Sequence, residues 1–409
     1  MINRLWLFLI LMAFVGFLSQ LFTGHYQIVD DLVDSIFAMS KLSFDIALGL
    51  VGILSLWLGL LNLGEKAGIV QALGNLVAPL MRALLPEIPK NHPALGHMTL
   101  NMAANVMGLD NAATPLGLKA MESLQSLNSE KDKASRAQTL FLVLNSSSLT
   151  LFPVTIFMYR AQLGSLSPTD VFIPILLATS ASSLAGLLLC CVVLRLKWLQ
   201  PIVGLYIGAI LGLLGLIVWN FSQLTPDQVR VQSALWGNGL LIFAIFGLIL
   251  GAAWQKVALF EEFVAGAKEG FALAIKILPY LLAMLFAIGL LRASGVLDFM
   301  MDGIRWLFER LHYDSRFVEA LPTAFMKPLS GSGARALMLE AMKVHGVDSF
   351  VGHLVAVIQG STETTFYVLA VYFGSVGVTR AKAAIVCALA ADLIGISVAI
   401  WVSYLFFGE

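Results

Sequence analysis

The chain has 409 residues, of which 59% are hydrophobic and only 12% charged, and its formal net charge is zero. Soluble globular domains carry about 25% charged residues, so this composition indicates an integral membrane protein. Because the charges are balanced, with no basic run or acidic tail, nothing suggests nucleic acid as a partner. At about 20 residues per crossing, the length allows roughly eight to ten transmembrane helices with their connections.

Uninterrupted apolar runs predict most of the transmembrane helices. The first run follows Arg4 and is too long for the hydrophobic part of a signal peptide, and it lacks a small-x-small cleavage site, so we expect a retained span. An acidic loop containing Asp30, Asp31 and Asp34 is expected to follow it. The predicted spans are 5–22, 46–64, 171–194, 202–219, 235–254, 271–291 and 383–406.

Two further stretches, 137–160 and 351–373, are long enough to cross a bilayer but have polar middles, so we predict broken helices. Between 95 and 125, and again between 317 and 345, two short apolar arms flank a tip rich in Gly, Ser or Asn. Each arm is too short to span alone, which favours a re-entrant helical hairpin. Backbone breaks at membrane depth are tolerated only where they are buried in protein or line a watery cavity.

The stretches 66–85 and 296–311 place basic residues among apolar ones at helical spacing, which is typical of amphipathic helices at the membrane interface. Counting about nine crossings, the positive-inside rule predicts a cytoplasmic N-terminus and an external C-terminus. The loop 292–316 departs from the rule, because its four arginines fall outside. The basic residues expected on the cytoplasmic side are Arg4, Arg195, Lys197, Lys256, Lys268, Arg380 and Lys382.

The same order of features occurs twice: a span, an interfacial helix, a hairpin, a broken helix and a closing span. Each unit has an odd number of crossings and two spans lie between the units, so the second repeat is predicted to be inverted relative to the first. The fold class expected is an all-α polytopic membrane protein with two inverted-topology repeats. The predicted domains are 1–41 (first span and acidic loop), 42–200 (first repeat), 201–267 (two linking spans) and 268–409 (second repeat).

Long motifs link both units to known proteins. Asn101-Met-Ala-Ala-Asn105 and the segment Gly108–Met121 resemble spore maturation protein A, while Pro328–Gly333 and Gln359–Leu369 resemble spore maturation protein B. The chain thus resembles a natural fusion of the two, from the family with paired nucleoside-recognition Gate domains. That resemblance implies a bacterial cytoplasmic (inner) membrane location and an architecture similar to concentrative nucleoside transporters. It does not identify the solute, because a fold hosts many functions.

The polar residues around the four breaks form the candidate binding site. Broken helices expose N–H groups at one end and C=O groups at the other, which favour anions and cations respectively. A lining of hydroxyls and amides suits a small, multiply hydrogen-bonding solute. The alternative is that these residues only bridge helices. The candidates are Asn105, Asp110, Asn111, Thr114, Asn145, Ser146, Ser147, Thr150, Ser330, Ser332, Gln359, Ser361, Thr362 and Thr364.

Charged residues in the apolar segments are candidates for ion coupling, because embedded charge is costly. Glu363, which lies in the second broken helix, is the first choice for coupling to H+ or Na+, and Asp110 and Asp392 are the others. Lys327 and Arg335 flank the second tip, where a salt bridge from either to Glu363 could instead lock the hairpins. The setting of Asp392 fits a helix-packing hydrogen bond equally well.

These features favour a secondary active transporter that moves a small polar or anionic solute, nucleoside-like or envelope-related, by alternating access. A channel or gate module, or a membrane scaffold in cell-envelope maturation, is the alternative. We expect no enzyme activity, cofactor or dedicated metal site, because Walker and HExxH motifs, a usable Ser-His dyad and paired histidines are missing from the sequence. The amphipathic helices and the linking spans could mediate a dimer or trimer.

Overall fold

A computed structural model describes residues 2–89, 91–108, 110–197 and 199–408, and these ranges fold into α-helices joined by short connections. The helices are α1 (Ile2–Phe22), α2 (Ile28–Lys66), α3 (Ile69–Leu84), α4 (Pro93–Val106), α5 (Asp110–Leu127), α6 (Arg136–Ser146), α7 (Val154–Gln162), α8 (Phe172–Val193), α9 (Pro201–Phe221), α10 (Pro226–Trp254), α11 (Leu259–Ala293), α12 (Val296–Arg310), a 3₁₀ helix (Arg316–Ala320), α13 (Leu321–Met326), α14 (Gly331–His345), α15 (Phe350–Ser361), α16 (Thr365–Ser375) and α17 (Lys382–Phe407).

Within these described ranges, seven helices are long and apolar enough to cross a membrane. This confirms the predicted fold class, an all-α polytopic membrane protein. The shorter apolar stretches Trp6–Phe22 and Ile69–Leu84 accompany them, in α1 and α3. The seven candidate spans lie in α2, α8, α9, α10, α11, the interrupted run Phe350–Ser375 and α17.

Helix α2 is much longer than the span predicted at 46–64. It has 39 residues and begins at Ile28, so the segment with Asp30, Asp31 and Asp34, predicted as a loop, is helical. The prediction was wrong because these acids occupy an exposed face, whereas Ile28, Met39 and Leu42 on the other faces are buried. An amphipathic extension of this kind continues a helix beyond its uniformly apolar part.

Helices α2 and α11 pack along much of their length. A side chain at Gly266 or Gly270 of α11 would collide with the carbonyl oxygens of Leu58 and Leu54 of α2. Small residues at such positions let two helix backbones approach closely, which is the usual way to gain packing energy where lipid removes the hydrophobic driving force. By contrast, α9 and α10 bury few of their side chains, so lipid or a second copy would cover them. The predicted oligomer stays a prediction.

Helices α8 and α17, which close the two repeats, pack against each other through a pair of glycines. A Cβ at Gly186 of α8 would lie 3.0 Å from Ser147 Oγ, and a Cβ at Gly395 of α17 would lie 3.0 Å from Thr362 Cγ2. Each glycine therefore contacts the C-cap residue that follows the first half of its own broken helix. Because both contacts are of the same kind, the two repeats share one local architecture.

Gly395→Ala is expected to destabilise the protein by about 1–3 kcal/mol, as overpacking does in a filled core. The added Cβ would lie 2.9 Å from Ser182 Cβ and 3.0 Å from Thr362 Cγ2, so α8 and α17 must separate slightly. Thermal unfolding in detergent measures the effect. Gly212→Ala on α9 is the matched control, since a Cβ there meets nothing within 4 Å. Equal melting temperatures for both variants would contradict the predicted close packing.

Candidate functional site

Both predicted helix breaks are present and have local causes. In the first, α6 ends at Ser146, and the hydroxyls of Ser146 and Ser147 donate to Val143 O at 3.0 and 2.9 Å. Such back-bonds compete with the regular helix. Pro153, just before α7, has no N–H to continue the ladder. In the second break, Thr362 adopts an extended backbone conformation (φ −149°, ψ 171°) that ends α15.

Each hairpin docks on the break of its own repeat through the backbone. Leu151 N–H donates to Val106 O at 3.0 Å in the first repeat, and Phe366 N–H donates to Pro328 O at 3.0 Å in the second. The two bonds satisfy groups that the breaks leave without helical partners. Non-helical backbone inside a membrane protein requires such partners.

The two breaks also contact each other, because Glu363 N–H donates to Ser146 O at 2.7 Å. A Cβ at Gly331, the first residue of α14, would lie 2.6 Å from Thr364 Oγ1, so the second hairpin tip packs directly on the second break. The four polar segments predicted to form one site therefore do lie together. Whether they bind a solute remains a prediction.

A cavity of about 90 Å³ lies where these segments meet. Trp57 of α2 closes one side of it, and Gly108, with φ +71°, lies at the first hairpin tip. Of the predicted site residues, those that line the cavity are Asn105, Thr150, Lys327, Arg335, Gln359, Thr362 and Glu363.

The charged residues of the cavity differ in their surroundings. Lys327 is 4% exposed and its Nζ donates to Gln359 O at 2.7 Å. The Arg335 guanidinium lies 5.6 Å from the centre of the Tyr159 ring. Glu363 is exposed, and the ion pairs seen among the described residues do not include it. Of the two candidate coupling carboxylates that the structure describes, Asp392 is the buried one, with 1% of its surface exposed, and the role of either in ion coupling stays a prediction.

Other predicted residues do not line the cavity but form bonds within and between the segments around it. Asn145 Oδ1 accepts from Asn105 Nδ2 at 2.7 Å, which ties the first hairpin to the first broken helix. The Ser330 hydroxyl caps α14 by accepting from Gly333 N–H at 3.1 Å. The Ser361 hydroxyl bonds back to Ile358 O, Ser332 lies 3.3 Å from Ser330, and Thr114 is half-buried on α5. The side chains of Asp110 and Asn111 lie outside the part that the structure describes.

Sequence reasoning missed Asn101 and Tyr372, which connect the two repeats behind the cavity. Asn101 Nδ2 donates to Ala113 O at 2.7 Å and to the Tyr372 hydroxyl at 3.3 Å. The same hydroxyl lies 3.5 Å from Asn145 Oδ1. Asn101 stands four residues before Asn105 and so lies on the same face of α4, which is a signal that could have identified it. No spacing rule connects either residue with Tyr372.

Comparison with known proteins identifies the family of this chain. The model of the Gate family, described as nucleoside recognition, matches residues 47–162 and 274–379. The chain belongs to the Gate family. Its two Gate segments contain both hairpins and both helix breaks.

Two relatives from Bacillus subtilis (strain 168) each match part of this chain. Spore maturation protein A is 36% identical over 189 residues, which cover 46% of this chain and 93% of the relative. Spore maturation protein B is 43% identical over 165 residues, which cover 40% of this chain and 91% of the relative. This pattern is consistent with a fusion of the two.

A buried charge cluster that does not line the cavity joins the two Gate segments. Arg160, at the end of the first segment, is fully buried, and its Nη2 lies 2.9 Å from both Asp170 Oδ1 and Asp348 Oδ1. It also lies 3.2 Å from His353 Nε2. The two acids and the histidine are close enough together to hold a metal ion. The Arg160 guanidinium, however, contacts all three, so the chain itself supplies the cation.

The surroundings of Asp348 in this cluster lower the pKa of its carboxyl group. Partial burial alone would raise the pKa of Asp348, but hydrogen bonds from Ser165 and Leu166 and the charge of Arg160 lower it below the ordinary 3.8. The Ser165 hydroxyl donates at 2.6 Å and the Leu166 N–H at 2.8 Å. Asp348 is therefore ionised at neutral pH, and the cluster contains a true ion pair.

Proposed function

We propose that this protein is a secondary active transporter that moves a small polar or anionic solute by alternating access. The supporting observation is the cavity between the two helix breaks, lined by both Gate segments and carrying Lys327 and Arg335. Paired broken helices at a repeat interface are typical of transporter sites. The two cations favour a solute with an anionic or strongly accepting group. By the resemblance to the spore maturation proteins, we place this activity in the bacterial cytoplasmic membrane.

The volume of the cavity limits the size of the solute that this conformation can hold. Sites for drug-sized ligands measure about 300–1,000 Å³, whereas this cavity has about 90 Å³. It has room for a few water molecules but not for a nucleoside. In this conformation the cavity is therefore too small for a nucleoside-sized solute, whose binding requires the hairpins to move away from the breaks.

The narrow cavity also supports a second candidate, a gate or membrane scaffold that works in cell-envelope maturation. The two relatives are named as spore maturation proteins. Solute binding separates the two candidates. In a thermal-shift screen of nucleosides, amino acids, small carboxylates and peptidoglycan fragments, a transporter is stabilised by its solute in a concentration-dependent way. That solute should then accumulate saturably in proteoliposomes. Flux without saturation favours a gate, and the lack of both stabilisation and flux favours a scaffold.

Arg335→Gln is expected to weaken binding of the anionic solute about 10- to 150-fold, because hydrogen bonds to charged groups contribute about 1.5–3 kcal/mol. Arg335 lines the cavity, whereas Arg380, which pairs with Asp132 on an exposed loop, does not. Arg380→Gln is therefore the matched control. The affinities follow from the concentration dependence of the thermal shift. Equal affinities in the two variants would remove Arg335 from the site.

A further inference from the structure

Three oxygen atoms around the second helix break are buried without a hydrogen-bond partner in the described structure. They are Asp392 Oδ1, Thr362 Oγ1 and Gln359 Oε1, on side chains that are 1%, 3% and 7% exposed. The other oxygen of the carboxylate, Asp392 Oδ2, accepts from Thr365 Oγ1 at 2.6 Å. The Thr362 hydroxyl lies close enough to the Asp392 carboxylate to interact with it, but forms no regular hydrogen bond. An unpaired buried carboxylate oxygen is costly and requires a partner.

The first repeat has a different residue at the position that corresponds to Asp392. Ser183 stands three residues before Gly186, as Asp392 stands three residues before Gly395. The Ser183 hydroxyl donates to Ser147 O, at the end of α6, so this carbonyl group has a hydrogen-bond partner from the chain itself. An ionised carboxylate has no hydrogen to donate. An ionised Asp392 therefore brings to the corresponding position of the second repeat an oxygen that has no hydrogen to donate.

We propose that Asp392, together with the hydroxyls of Thr362 and Thr365, binds a sodium ion at the end of α15. The carbonyl end of a helix attracts cations, and broken-helix transporters coordinate their coupling ions at such ends. Hard oxygen donors suit Na+ as they suit other hard cations. This inference deepens the proposed transport function, because the bound ion would be the driving ion.

The charges around the site favour a monovalent ion. Among the described side chains of the cluster, Asp392 is the buried carboxylate, and the charges of Lys327 and Glu363 act on it in opposite directions. Lys327 lies at the second hairpin and Glu363 within the break. The ionised Asp392 carboxylate brings one negative charge, which one Na+ neutralises. A divalent cation would leave an uncompensated positive charge in a buried place.

The test uses the full chain in detergent, with Na+ itself as the probe. Its melting temperature is measured as NaCl replaces choline chloride or KCl at constant ionic strength and pH. For the wild type, we expect the melting temperature to rise with the logarithm of the Na+ concentration above the Kd. Asp392→Ser, which introduces the residue of the first repeat, should abolish this Na+ dependence. Thr362→Val should weaken the apparent Na+ affinity at least tenfold.

Ser397→Ala is the matched control, since this hydroxyl lies on the exposed face of α17 and bonds back to Leu393 O. It should keep the wild-type Na+ response. Equal stabilisation by Na+, K+ and choline, or an unchanged Na+ response in Asp392→Ser, overturns the sodium site. Stability that follows pH but not Na+ also overturns it and assigns a proton to Asp392. If Asp392→Ser does not fold, Thr362→Val decides alone.

The sodium site and the transport function can be refuted separately. If Na+ has no effect on the melting temperature of the wild type while a proton gradient still drives solute uptake, the sodium site is refuted and the transport function is not. Na+ binding without uptake of any solute refutes the transporter and leaves the site.

Discussion

Glu363→Gln is expected to reduce gradient-driven solute uptake roughly 5- to 150-fold, the range of typical coupling between two ligand sites. Glu363 lies within the second break and lines the cavity together with the hairpin cations Lys327 and Arg335. Its backbone N–H, which bonds to Ser146 O, is retained in the variant, and its exposed side chain makes no ion pair with described residues, so the fold should persist. The effect is therefore expected on coupling and not on stability.

Two assays in proteoliposomes separate coupling from binding. Accumulation against an ion gradient should be lost in Glu363→Gln, whereas exchange of labelled for unlabelled solute without a gradient should continue. Glu269→Gln, an exposed carboxylate on α11, is the control and should behave as the wild type in both assays. Wild-type accumulation by Glu363→Gln would remove this residue from the coupling mechanism, and loss of both activities would make it a solute ligand.

Much of the fold could be predicted because the decisive signals are local. Polar clusters inside otherwise apolar segments predicted both breaks, and the ends of α6 and α15 lie within those clusters. A membrane allows few solutions for such segments, since the freed backbone groups need partners. The extension of α2 from Ile28 was missed because an amphipathic pattern with acids on one face resembles a polar loop.

The candidate site was predictable as a set of segments but not as a set of contacts. Glu363 and Asp392 are both carboxylates in apolar surroundings, yet the first is exposed to the cavity and the second is buried. That difference depends on which face of α17 meets α8 and the second break. The Asn101–Tyr372 contact spans 271 residues of sequence, and no periodicity encodes it.

Arg160→Met is expected to destabilise the protein by about 3–5 kcal/mol, the usual result of removing one partner from a buried ion pair. The variant would leave Asp170, which is 1% exposed, without its nearest cation, and would remove the contact with Asp348. This is a large fraction of a typical stability of about 5–15 kcal/mol. Thermal and denaturant unfolding in detergent measure the loss.

Arg380→Met is the control for this variant, because Arg380 pairs with Asp132 where both side chains are largely exposed, and its melting temperature should stay close to that of the wild type. An equally stable Arg160→Met would contradict the role given to the buried cluster.

The cluster should also affect the conformational change that opens the cavity. It ties α7 of the first Gate segment to the start of α15 in the second repeat. Any rearrangement that opens the cavity must therefore keep these ends together or break the contacts of Arg160 with Val347 O, Asp348 and His353 at once. If the cluster is kept through the cycle, solute exchange by Arg160→Met should fall in proportion to its folded fraction; a larger fall would show that the cluster guides the movement.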